Sequence, residues 1–270
     1  MTDSTDEKVK PDNIGVSSRI GRYIRYGLIL WMLFVCIPVF LGIIIAEFLL
    51  PEDFLVHEDM RRMACSSRLK AIGLAMHNYH DKYGCFPPAY VADRNGRPMH
   101  SWRVLLLPYL EREDLYKKIR FDEPWNSPHN RETFQNEDVR LFHCPYAPDA
   151  KDDTSYMMIV GPNTISDGPH SVRFEDIKDG TTNTIMIVEV KDSGIHWAEP
   201  CDLNFKDMSF RINDPNGRGI GSYHPGITNV AFADGSVQSV KDDIDPKLLK
   251  SLITINGKED VSEFFRDYGR

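Results

Sequence analysis

The stretch HEDMRRMACSSRLKAIGLAMHNYHDKYG, residues 57–84, decides the fold. Cys65, Leu69, Ile72, Met76, Tyr79 and Tyr83 recur at alternating steps of four and three, which stacks them on one face of an α-helix. Arg61, Arg62, Arg68, Lys70 and Lys82 fall off that stripe. Gly84 is a stop signal, and Pro87-Pro88 bars any continuation. Cys65, on the stripe, points at whatever sheet covers the helix.

Upstream lies GLILWMLFVCIPVFLGIIIAEFLL, residues 27–50, with Glu47 as its single charge. As a helix it extends roughly 36 Å, enough to cross a hydrocarbon core of about 30 Å. Arg19, Arg22 and Arg25 precede it and the acidic PEDFLVHED follows, so the positive-inside rule sets the N-terminus in the cytoplasm. The apolar run is too long for a signal-peptide core and lacks a small-residue cleavage site, which suggests an uncleaved anchor. Residues 1–26 read as a disordered cytoplasmic tail, 27–50 as a transmembrane anchor and 51–270 as an extracytoplasmic domain. Localisation is then the cell (inner) membrane. Pro51 bends or breaks the junction between the two helices.

Downstream the signals change to strands. DRNGRP, residues 93–98, carries an Asn-Gly turn between AYVA and MHSW and suggests a hairpin. SWRVLLLPYLEREDLYKKI reads as short helices broken near Pro108. TSYMMIVG and KDGTTNTIMIVEV read as strands, and NVAFADGSVQSV as a hairpin with a two-residue Asp234-Gly235 tip that sets Phe232 opposite Val237. DPKLLKSLITING looks like a closing helix stopped by Gly257. Helices first and strands later imply an α+β fold with an antiparallel sheet.

The net charge of -8 and the lack of any basic run argue against a nucleic-acid partner. There is no G-x-S-x-G, P-loop, Rossmann fingerprint, HExxH or C-x-x-C, so no catalytic residue, metal or cofactor is assigned. Outside the cytoplasm, Cys65, Cys85, Cys144 and Cys201 have the option of two disulfides. His77, His80 and Asp81 either begin a metal site or form a polar shoulder of the helix, and the shoulder is the simpler reading. His143-Cys144 presents a thiol beside a base. Asp122, Glu123 and His129 share a Pro-rich loop that forms either a ligand rim or a rigid cap. Trp102, Trp125 and Trp197 either stack sugars or fill core. His224 and Asp234 are separated by a turn and a strand of roughly 17 Å, so the pair reads as architecture, with His224 the better candidate for chemistry.

Several long motifs resemble a large bacterial family of pseudopilin-like proteins with a domain of unknown function. They are CSSRLKAIGLAMHNYHDKYGCFPP, SWRVLLLPYLEREDLYKKIRFDEPWNSPHN, TSYMMIVGPNT, IKDGTTNTIMIVEV and the H-x9-D-G stretch from His224 to Gly235. The resemblance spans roughly residues 60–257. It implies a pilin-like fold, with an N-terminal transmembrane and amphipathic helix packed on an antiparallel sheet, like the type II secretion pseudopilins. The family's prepilin peptidase site is not matched: after Gly27 stands Leu28 rather than Phe, and Met32 occupies the place of the expected Glu. No N-terminal processing is therefore expected. The family motif carries a cysteine at the positions of both Cys65 and Cys144. This implies a disulfide between them and leaves Cys85 and Cys201 as a second pair.

Two readings follow. One is a single-pass anchored structural or interaction protein, not an enzyme, whose partners are other envelope or secretion-type proteins or further copies of itself. The other is an envelope polysaccharide- or metal-binding module or enzyme, with Trp125, His129 and His224 as its binding residues.

Overall fold

The computed structural model describes residues 26–27, 31–37, 39, 52–135, 137, 140–147, 152–215 and 218–268, without the side chains of 52–57. The chain divides into two units, 1–57 and 58–270. Of the first, the described part is mainly a short helical turn, Met32–Cys36. The expected span at 27–50 lies largely outside the described residues. Among the described residues no helix is long and apolar enough to cross a membrane.

The second unit is α+β. Helix α1 (Glu52–Tyr83) ends where expected, with Gly84 at a positive φ and its N–H donated to the His80 carbonyl at 2.7 Å. Strands β1 (Tyr90–Ala92) and β2 (Pro98–Ser101) form the expected hairpin, in which the Asp93 carboxylate accepts from the N–H groups of Asn95 and Arg97. Three short helices follow: α2 (Trp102–Leu105), α3 (Glu113–Lys118) and α4 (Pro128–Gln135).

The central sheet has the order β3-β5-β7-β8 and is antiparallel throughout; its strands are β3 (Tyr156–Met157), β5 (Ile185–Glu189), β7 (Ile227–Phe232) and β8 (Val237–Lys241). TSYMMIVG is not one strand. Met158 turns its N–H to the Asp202 carboxylate at 2.9 Å, and β4 (Ile159–Val160) then pairs in parallel with β6 (Leu203–Asn204).

Both faces of the sheet are covered. Leu69, Ile72 and Met76 of α1 share a core with Ile187, Ala231 and Ala233. Val188, Val230, Phe232 and Val240 share a second core with Leu249, Leu252 and Phe264. The latter three come from the C-terminal region around α5 (Pro246–Ser251) and α6 (Ser262–Tyr268). Helix α5 stops well before Gly257, because the Leu252 carbonyl is taken by the Ile185 N–H at 2.7 Å.

The hairpin register also differs by one residue from the expectation. Val237 pairs with Ala231, and Phe232 meets Ser236. Only Gly235 takes a positive φ at the tip, and its N–H reaches back to the Phe232 carbonyl at 2.9 Å. The turn thus holds Ala233, Asp234 and Gly235, a three-residue loop closed by a glycine bulge. The tip lies against α1: a Cβ on Gly73 would sit 3.7 Å from the Gly235 backbone.

Candidate functional site

Glu58 and Cys65 are seven residues apart on α1, two turns along one face. Both are buried. Cys144 follows a single helical turn at Arg140–Phe142, and its N–H is held by the Ser155 hydroxyl at 2.9 Å. Arg68 of α1 donates to the Arg140 and His143 carbonyls, which pins this loop to the helix. The two sulfurs stand 3.2 Å apart, both as free thiols.

His224 enters from the loop before β7. Ser222 shapes that loop, accepting from the His224 N–H at 3.1 Å and donating to the Ile227 carbonyl at 2.6 Å. The His224 ring is buried, with Nδ1 2.6 Å from Glu58 Oε1. Its Nε2 is buried and has no hydrogen-bond partner. A ring nitrogen of His224 and the sulfurs of Cys65 and Cys144 all lie within 4.8 Å of one another. Four residues from three separate segments of the chain therefore meet at one point.

The hydrogen bond with Cys65 holds the Cys144 thiol below its usual pKa, with burial opposing and the Tyr146 and Ala147 N–H groups assisting. The same hydrogen bond pushes Cys65 far up, and burial and nearby negative charge add to this. Glu189, at the end of β5, is also buried. Burial pushes its carboxyl up, while the Asn229 N–H at 2.7 Å and the Asn229 amide hold it down.

His224 also lines a cleft of about 970 Å³, together with Met157, Asp192, Asp202, Asn213 and Tyr223. Neither Trp125 nor His129 lines it. Trp125 stacks on His196 with ring centroids 5.2 Å apart, and His129 Nε2 lies 3.0 Å from the Lys118 carbonyl. Their loop is braced by Asn130, whose side chain bonds the backbone of Arg120 and Pro124. Trp125 and His129 thus do not share that cleft with His224.

The other candidates sit among the following neighbours. His77 and His80 pack on Phe86 and Phe174. His143 turns Nδ1 to the Asp153 carbonyl at 3.1 Å. Asp234 accepts from the N–H and hydroxyl of Ser236, a turn function. Trp197 belongs to the core, and Trp102 donates Nε1 to Asp202 at 3.1 Å. Cys85 and Cys201 are free thiols in separate surroundings: Cys85 lies beside the Tyr83 carbonyl and Cys201 on the cleft.

The sequence reading missed Glu58 and Glu189. A carboxylate two helical turns before a stripe cysteine was a usable signal for the first. A charge inside the apolar strand IMIVE was one for the second.

The chain belongs to a family described as protein of unknown function (DUF1559), whose model matches residues 56–168 and 192–247. The two matched segments contain Glu58, Cys65, Cys144 and His224, so the whole cluster falls within the family domain. No curated protein and no solved structure matches the chain.

Proposed function

We propose that this chain is a single-pass membrane protein whose family domain is a pseudopilin-like structural or interaction module on the extracytoplasmic side. Residues 1–26 form the cytoplasmic tail and 27–50 the anchor. The domain acts by packing against other envelope or secretion-type proteins, or against further copies of itself. The observation that carries this reading is a long helix laid on an antiparallel sheet and following an apolar run. Within that run Trp31, Met32, Leu33 and Phe34 are exposed, a surface suited to lipid rather than water.

The test is carbonate extraction of membranes combined with protease treatment of spheroplasts. The full chain is expected in the membrane pellet, with a protected fragment no larger than the tail and anchor. Release into the carbonate supernatant overturns the anchor. Protection of the domain overturns its orientation.

A further inference from the structure

We propose that Cys65, Cys144 and His224 form a binding site for a thiophilic divalent cation, Zn²⁺, with Glu58 as the residue that orients the histidine. The donor set is two sulfurs and one imidazole, all buried and mutually within 4.8 Å. These are the ligand types that zinc prefers, and three protein ligands leave a fourth position to solvent or a small ligand. Tetrahedral zinc at about 2.3 Å from each sulfur sets the sulfurs about 3.8 Å apart. The observed 3.2 Å is within a small side-chain adjustment of that value.

The histidine argues most strongly for the ion. Its Nδ1 is engaged by the Glu58 carboxylate at 2.6 Å, leaving Nε2 as the free donor atom. A ligating histidine characteristically carries a carboxylate on its other nitrogen, which fixes ring orientation and raises basicity. Here Nε2 is buried and unpaired, an unfavourable state that a bound cation relieves. A Cys65–Cys144 disulfide, with an S–S bond of about 2.05 Å, draws the sulfurs together but supplies nothing to Nε2. A cation satisfies both sulfurs and the ring at once. It also offsets the buried carboxylates of Glu58 and Glu189.

Arg61 and Arg62 lie 4.0 and 3.9 Å from the Glu58 carboxylate. They approach that carboxylate without entering the donor set. Binding releases the thiol protons to solvent as the two metal–sulfur bonds form. No electron transfer is involved.

The experiment uses the full-length chain in mild detergent, reduced and stripped of metal, and titrated with Zn²⁺ against a chromophoric chelator. One Zn²⁺ per chain is expected. Substitution by Co²⁺ is expected to give thiolate-to-cobalt charge-transfer absorption. Cys65→Ser or Cys144→Ser abolishes that band, whereas Cys85→Ser and Cys201→Ser leave it intact. Glu58→Gln retains the band but weakens binding by about 10- to 100-fold, the usual cost of losing such a carboxylate. Should a variant fail to fold, wild-type alkylation read by peptide mass spectrometry decides instead: Zn²⁺ protects Cys65 and Cys144 but not Cys85 or Cys201. Sub-stoichiometric binding, a cobalt complex without sulfur bands, or equal alkylation with and without Zn²⁺ overturns the proposal. So does a chain isolated from its membrane with Cys65 and Cys144 already joined as a disulfide. Since the readouts are taken on extracted protein, they fail or succeed independently of the anchor and its orientation.

Discussion

Removing the Asp202 carboxylate is expected to be among the most damaging single changes available in the domain. Asp202 and Arg103 form a buried ion pair with Nη2 2.6 Å from Oδ1, the two side chains being 2 % and 0 % exposed. The same oxygen accepts from Trp102 Nε1 at 3.1 Å and from the Met158 N–H at 2.9 Å. Asp202→Ala leaves Arg103 with the Ser101 hydroxyl and the Tyr156 carbonyl as hydrogen-bond partners and the Trp102 ring beneath it, and with no opposite charge among these. Breaking one side of a buried pair costs about 3–5 kcal/mol. The orphaned Trp102 and Met158 donors add about 1 kcal/mol or more each. Because Asp202 borders the cleft, entering water offsets part of this. A net loss of about 4–6 kcal/mol follows, against a typical domain stability of about 5–15 kcal/mol. Asp202→Asn retains an acceptor for Met158 and is expected to lose less, about 3 kcal/mol. Urea unfolding followed by tryptophan fluorescence measures both. The decisive sample is the double variant Arg103→Met/Asp202→Ala, which should lose at least about 2 kcal/mol less than the sum of the single changes. Additive losses, or an Asp202→Ala cost below about 1 kcal/mol, refute the reasoning.

Three further outcomes are expected. Gly235→Ala should lose about 1–2 kcal/mol, since its φ of 82° is left-handed and the added Cβ meets His77 Nε2 at 3.2 Å; thermal melts measure this. Gly73→Ala should be neutral or slightly stabilising, because its Cβ makes ordinary contact at 3.7 Å and alanine favours the helix by about 1 kcal/mol. Burial lowers the His100 pKa, so the native state holds it neutral while the unfolded chain takes up a proton near pH 6.5. The stability this provides is fully present above about pH 6.5 and declines as pH falls below it. His100→Gln should therefore flatten the acid side of a stability-against-pH curve, and an unchanged slope would count against that assignment.

The long helix was legible because its information is local. Cys65, Leu69, Ile72 and Met76 are fully buried, as their spacing requires, and Gly84 stops the helix. Tyr83, at the end of the stripe, is exposed. The hairpin was legible as a hairpin but not in register: Ala-Asp-Gly suits a two-residue or a three-residue turn, and both place glycine at positive φ. That one-residue difference moves Val237 from opposite Phe232 to opposite Ala231. The two-sided burial of the sheet was written in Val230, Ala231, Phe232 and Ala233, an uninterrupted apolar run of the kind found in strands covered on both faces. At the site, His224 was found by its sequence surroundings and the proximity of Cys65 to Cys144 by resemblance. Glu58 shares the face of Cys65, which marks its place on the helix but not its partner. Its partner lies 166 residues away, and no local pattern encodes that contact.

The cluster also explains how α1 is held along its length. From Leu69 to Met76 the helix is fixed by apolar packing on the sheet, a non-directional force that tolerates small shifts. Between Glu58 and Cys65 the neighbouring Met60 and Met63 are exposed, so packing supplies little there. In that region the attachments are directional: Glu58 to His224, Cys65 to Cys144, Tyr156 to the Cys65 carbonyl at 3.4 Å and Arg68 to the 140s loop. Directional contacts between buried polar groups rigidify a segment when all partners are present and are costly when one is missing. The stretch from Glu58 to Cys65 is therefore held by residues of the loops at 140–144 and 222–224, whereas Leu69 to Met76 is held by the sheet.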